Sequence, residues 1–258
     1  MKYCLSNRQE TSYLNKADEI KVDFRDKNSI VDLIEKYPDK TIIVMCYDDA
    51  IINWNEVNMW KVLSHNKLIM CLASVSNAKE CKEKDIPFYM GYPVKTFYEL
   101  NSLKNYGVCY VRLAEPLFFE MDKVKKVGIP VRVVPNVAYI DGIPREDGVC
   151  GSWLRPEDVD TYEPYVDVLE FEDCTMEKEQ ALFRIYAEQK RWPGSMSLLF
   201  TNFEHEGTNR LILPEVAQKR LNCGQRCQSG GACKICYRAL NLAMPEKIRS
   251  YMEATDQS

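Results

Sequence analysis

Seven short apolar runs rich in β-formers, spread between residues 19 and 173, are each separated from the next by a helical or turn-rich stretch. They are "EIKVDF" (19–24), "TIIVMCY" (41–47), "LIMCLASV" (68–75), "PFYMGYPV" (87–94), "VCYVRLAE" (108–115), "IPVRVVPNVAYI" (129–140) and "VDVLEFED" (166–173). Antiparallel neighbours can be joined by a tight turn, but parallel neighbours need a long crossover, usually a helix. The alternation therefore predicts parallel pairing through right-handed crossovers. In residues 95–107, Phe97, Leu100, Leu103 and Tyr106 recur every three positions, which marks one helical face packed on a sheet. Gly107 and Gly128 each close a helical pattern just before the next strand, where a left-handed cap suits a residue without Cβ. The expected fold class is α/β: a TIM-barrel-like parallel β/α domain, whole or incomplete. An open doubly wound sheet is the alternative.

The pattern changes at Thr175. "TMEKEQALFRIYAEQKRW" reads as one amphipathic helix, N-capped by Thr175, with Glu177 and Glu179 near its positive end and Pro193-Gly194 as its stop. "SMSLLFTNF" (195–203) reads as a further strand and "LPEVAQKRL" as a short helix. A terminal helical pattern, "YRALNLAMPEKIRSYMEA", is interrupted at Pro245. This divides the chain into a barrel-like domain, 1–203, and a C-terminal segment, 204–258, that carries an unusual set of thiols.

"NCGQRCQSGGACKICYR" (222–238) places Cys223, Cys227, Cys233 and Cys236 in the spacing C-x3-C-x5-C-x2-C. Thiols two to four residues apart can point inward from one turn, as a tetrahedral ion or a cubic cluster requires. Gly224, Gly230 and Gly231 allow the turns, and Arg220, Arg226, Lys234 and Arg238 offset the negative charge of thiolates. Zinc ribbons and fingers put about 12 or more residues between their ligand pairs. The shorter gap here favours a loop wrapped round a 4Fe-4S cluster or a zinc knuckle, and thiolates serve both metals. The other seven cysteines are scattered, and Cys46, Cys71 and Cys109 lie in apolar runs, where a thiol packs as a small hydrophobe. An odd total without a secretory leader favours reduced thiols over a disulfide framework.

"GGACKICYRALNL", following an α/β barrel-like region, resembles the collagenase-like peptidase family, whose members carry a Gly-x-Cys, short gap, Cys-Arg element near the end of a TIM-like barrel. The likeness rests on Gly231, Cys233, Cys236 and Arg238; the gap here is two residues rather than three, and Tyr237 separates cysteine from arginine. The resemblance implies a four-iron cluster on four cysteines and a role like that of relatives that hydroxylate RNA bases or quinone precursors. It does not imply proteolysis. The departures make Cys150 and Cys174 further candidate ligands.

In a parallel barrel the chemistry sits at the C-terminal ends of the strands. Asp23, Arg25, Asp48, Asp49, Ser74, Arg112, Glu115, Asn136, Arg155, Glu170, Glu172 and Asp173 fall there. Arg112, Arg132 and Arg155 are candidates to clamp a carboxylate or phosphate, with Glu115 or Glu170 as a base. The competing reading is a ring of structural ion pairs. In "CGSWLRPED" (150–158), Pro156, Glu157 and Asp158 signal a helix start beside a buried Trp153, against a substrate loop. Only His65 and His205 are present, and no phosphate-cradling glycine motif occurs.

Lys and Arg number 34 against 38 acidic residues, a formal charge of -4, so any nucleic-acid footprint must be local, as in the basic stretch from Lys219 to Arg238. The first ten residues lack the apolar core of a secretory signal, and no apolar run approaches the ~20 residues of a membrane span. These features predict a soluble, cytoplasmic protein. The functional expectation is a metal-binding enzyme, an iron-sulfur enzyme modifying RNA or a small aromatic substrate. The alternative is a zinc-stabilised module docking on nucleic acid or a multi-protein assembly.

Overall fold

The computed structural model describes residues 1–47, 51–140, 142–144, 152–172, 174–189, 191–195, 198–201 and 216–223. Eight parallel strands close a barrel: β1 (Lys2–Ser6), β2 (Glu19–Asp23), β3 (Thr41–Cys46), β4 (Leu68–Leu72), β5 (Phe88–Val94), β6 (Tyr110–Leu113), β7 (Val131–Val133) and β10 (Val168–Glu170). β1 pairs with both β2 and β10, with Cys4 opposite Glu19 on one side and Glu170 on the other. The barrel is thus complete, and an open sheet is excluded. A two-stranded antiparallel hairpin, β8 (Tyr139–Ile140) and β9 (Ile143–Pro144), is inserted after β7.

Between the strands run α1 (Thr11–Leu14), α2 (Lys27–Lys36), α3 (Trp54–Leu63), α4 (Ala78–Glu83), α5 (Phe97–Tyr106), α6 (Met121–Val127) and α7 (Val159–Tyr162). α8 (Met176–Glu188) follows β10, and α9 (Val216–Leu221) precedes the cysteine segment. Strand residues alternate in direction, as the period of two demands. Ile20, Val22, Ile42, Val44, Met70, Leu72, Phe88, Val111, Val131 and Leu169 join the main core shared with the helices. Cys4, Ile43, Cys71, Tyr89, Tyr110 and Val168 form a second cluster inside the barrel.

The helix ends follow local chemistry. Thr96 and Glu99 make a reciprocal capping box on α5, and Gly107 and Gly128 end α5 and α6 in the left-handed region at φ 81° and 78°. Thr175 accepts from the Lys178 amide and caps α8.

Three expectations change. The first barrel strand is Lys2–Ser6, a five-residue run whose mixed composition gave no pattern. The run 129–140 splits at Pro135: Val131–Val133 belongs to the barrel and Tyr139–Ile140 to the hairpin. Of the run 195–203, the described residues 198–201 form a turn rather than the expected strand, and bury Leu199 and Phe200. In addition, α8 stops at Glu188, with Gln189 left-handed at φ 52°, before reaching Pro193. The loop at 204–210 and the terminal pattern beyond 237 lie outside the described residues. Among the described residues no helix is long and apolar enough to cross a membrane.

A Cβ at Gly107 or Gly128 would meet nothing within 4 Å, so only the backbone opposes substitution. Gly107→Ala and Gly128→Ala are each expected to lower the unfolding free energy by about 1–2 kcal/mol in urea titrations, with Asn recovering part of the loss.

Candidate functional site

Three acids and three bases occupy the barrel interior: Glu19, Glu170 and Glu172 with Lys21, Arg112 and Arg132. Strand parity puts the five on strands there, because they alternate with outward apolar residues, while Glu172, two residues beyond β10, closes the network at the mouth. Arg132 pairs with Glu19 and with Glu170 at 3.1 Å, and its guanidinium lies over the rings of Tyr89 (4.7 Å) and Tyr110 (4.9 Å). Arg112 pairs with Glu170 at 2.9 Å and Glu172 at 2.5 Å, and donates to the Gly91 carbonyl at 2.6 Å. Lys21 donates to Glu170 at 3.3 Å and to the Phe171 carbonyl. Burial alone would raise the Glu170 pKa, but Arg112, Lys21 and Arg132 hold it well below the usual carboxylate range.

The sequence candidates are therefore brought together in part. Arg112, Arg132 and Glu170 share one network whose charges face one another. Arg155 stands apart, fully buried, with its guanidinium bound at both ends by Asp158 (2.7 and 2.8 Å). Glu115 is buried just beyond β6, its amide donating to the Tyr139 carbonyl. Asn136 joins the ends of β7 and β10 by donating to the Glu172 carbonyl at 2.7 Å and accepting from its amide at 3.2 Å. Trp153 is buried, and Pro156–Asp158 forms a short 3-10 turn leading into α7, as the helix-start signal predicts.

A cleft of about 830 Å³ opens above this network, over the C-terminal ends of the adjacent strands β10, β1, β2 and β3. Ser6, Asn7 and Arg8 line it from β1, and Lys21, Val22 and Asp23 from β2. Met45 and Tyr47 line the β3 end, while Phe171, Glu172, Cys174, Thr175 and Glu179 line the side of β10 and α8. Its volume falls within the range of small-molecule sites. Glu179, which the sequence suggests as a helix-dipole partner, is instead a buried tie: it accepts from the Ser6 amide (2.8 Å), the Ser6 hydroxyl (2.6 Å) and Gln9 (2.5 Å). It fixes the start of α8 to the end of β1. Glu172 also accepts from the Tyr139 hydroxyl at 2.5 Å. Cys174 is half-buried, and burial and then Glu179 push its thiol up to about 11, against Lys21, Lys178 and Arg8.

Most of these cleft residues escape sequence reasoning. Asn7 and Arg8 become mouth residues only once Lys2–Ser6 is known to be a strand. Parity along "EIKVD" was the available signal for Lys21, since Glu19, Lys21 and Asp23 share one face.

Of the four clustered thiols, Cys227, Cys233 and Cys236 lie outside the described residues, as do Cys150, Asp48, Asp49, Asp173 and His205. Cys223 is half-buried against the main core. The residues before it anchor it. Arg220 is fully buried over the Trp153 ring at 3.9 Å, close to Phe118 and Phe119, and donates to the Trp153 carbonyl at 3.1 Å. Asn222 accepts from the Asp122 amide at the start of α6 at 3.0 Å. Arg220, one of the cations that the sequence sets beside the thiols, is thus buried rather than exposed. Among the described residues no group of three or more His, Cys, Asp or Glu is placed to hold a metal ion. All seven described cysteines are free thiols; Cys46 and Cys71 are buried as expected, whereas Cys109 is only half-buried.

Because Glu170 is held ionised, it binds fewer protons in the folded than in the unfolded chain. Its contribution to stability is complete above the unfolded carboxylate value of about 4.3 and falls away as the pH drops below it. Glu170→Gln would leave buried cations with too few anions, and an expected loss of about 3–5 kcal/mol at pH 7 follows. Urea titrations between pH 7 and pH 3 should show a weaker acid dependence in this variant than in the parent.

No protein-family model matches the chain, and no curated protein matches it. Among solved structures, the chain is similar to one described as a 4-hydroxy-2-oxoglutarate aldolase/2-deydro-3-deoxyphosphogluconate aldolase. The identity is 12% and the TM-score 0.39, over 76% of this chain and 93% of that one. At that level the likeness carries no argument about the chemistry of this chain.

Proposed function

We propose that this protein is a cytoplasmic modification enzyme that takes an RNA base or a small aromatic substrate into the mouth cleft, with a metal held by Cys223, Cys227, Cys233 and Cys236. The observation that carries the reading is the cleft itself: it lies over the strand ends, where parallel barrels keep their chemistry, and Met45 and Tyr47 line one end of it. Tyr47 is 45% exposed and offers ring surface against which a planar substrate can pack. The interior ion pairs hold the floor of the cleft rigid, which suits a site that must orient its substrate.

The metal rests on the spacing of the four thiols, the first of which, Cys223, follows Arg220 and Asn222, both bonded to the barrel domain. A 4Fe-4S cluster, in line with the resemblance to the collagenase-like peptidase family, would supply redox chemistry. A zinc ion would make the same segment a structural clamp, serving a module that docks on nucleic acid or a protein assembly. That second reading has a smaller basic face than the sequence suggests, because Arg220 is buried.

Iron and zinc measured per chain on anaerobically purified protein test the proposal, with Cys233→Ala as control. About four irons per chain, lost in the variant, support the redox enzyme. About one zinc supports the docking module. Neither metal would remove the metal-dependent reading altogether.

A further inference from the structure

We propose that the cleft binds the anionic group of its substrate, a carboxylate or a phosphate, between Arg8 and Lys21 at the neighbouring ends of β1 and β2, with the substrate's ring directed toward Tyr47. The inference deepens the reading above and rests on it only in taking the cleft as the substrate site.

The charges lining the cleft lead to this assignment. Glu179 is enclosed by Ser6 and Gln9, and Glu172 is held by Arg112 and Tyr139. Asp23 accepts from the Arg25 amide on the β2 side. Arg8 is exposed in the cleft and has no carboxylate partner among the described residues. Lys21 donates to Glu170 and the Phe171 carbonyl, and an ammonium has three donors, so one remains for the cleft it lines. Ser6 at the end of β1 lies opposite Lys21 on β2, and Arg8 follows two residues later, so both cations line the cleft at these neighbouring strand ends.

An arginine without an acid partner beside a partly buried ammonium suits planar, bidentate capture of a carboxylate or phosphate. Arg112, Arg132 and Arg155, which the sequence offers either as a clamp or as an ion-pair ring, face internal acceptors, while Arg8 and Lys21 line the cavity. The two ends of the cleft then match a planar ring bearing an anion, whether the carboxylate of an aromatic acid or the phosphate of a nucleotide.

The test is titration of the full chain with sodium benzoate and, separately, with inorganic phosphate, followed by amide NMR spectra that also report folding. Arg8→Gln, a surface change, is compared with the parent and with Lys79→Gln, remote from the cleft. Saturable shifts with either probe, weakened about tenfold by Arg8→Gln and unchanged by Lys79→Gln, are expected. Benzoate alone points to a carboxylate substrate, and phosphate alone to a phosphorylated one. No saturable shift with either probe, or equal affinity in Arg8→Gln, overturns the assignment. Metal content measured on the same samples separates its failure from failure of the metal-enzyme reading.

Discussion

Glu170 lies where three cations meet, and the closed barrel is organised around that meeting. The interior of an eight-stranded barrel is just wide enough for side chains to fill, and most barrels fill it with branched apolar residues. Here Arg132 fills it between two tyrosine rings, with Glu19 on one side and Glu170 on the other. Desolvating these charges costs several kcal/mol per ion, and the cost is offset only because each anion meets a well-placed cation. The network therefore tolerates little change, and its arginines are not available to a ligand from outside.

That rigidity determines where chemistry can occur. With the central charges facing one another, Arg8 and Lys21 offer polar capacity at the mouth, over β10, β1, β2 and β3. Glu179 holds α8 against the end of β1 through Ser6 and Gln9, so the wall of the cleft is tied to its floor. On the outer surface, Arg220 enters a box of Trp153, Phe118 and Phe119 and fixes α9 to the barrel. Asn222, next to Cys223, accepts from the Asp122 amide and so ties the chain to the start of α6.

Much of the fold is legible in the residues. Seven strand-like runs each contain a barrel strand, the helices between them follow their apolar periodicity, and Gly107 and Gly128 stop two of them as their backbone freedom allows. The first strand was hidden because "KYCLS" is short and mixes a charge, an aromatic and a hydroxyl with its apolar residues. It pairs because β2 and β10 leave one place for it, a long-range constraint with no local signature. A long-range constraint also decides Leu199 and Phe200, in a run whose apolar composition suits a strand equally well but where the two side chains fill the outer core.

The sequence by itself determined the parallel β/α alternation, the helix caps and the clustering of four thiols, because these depend on residues close together in the chain. Only the tertiary structure decided which charges are matched and which remain open. Arg112 and Arg132 read from the sequence as a substrate clamp or as members of an ion-pair ring, and strand parity turns them inward onto Glu170, while nothing local singles out Arg8, which barrel closure places at the mouth. The difference is physical: a charge takes its role from partners distant in sequence, and the closed sheet alone sets those distances.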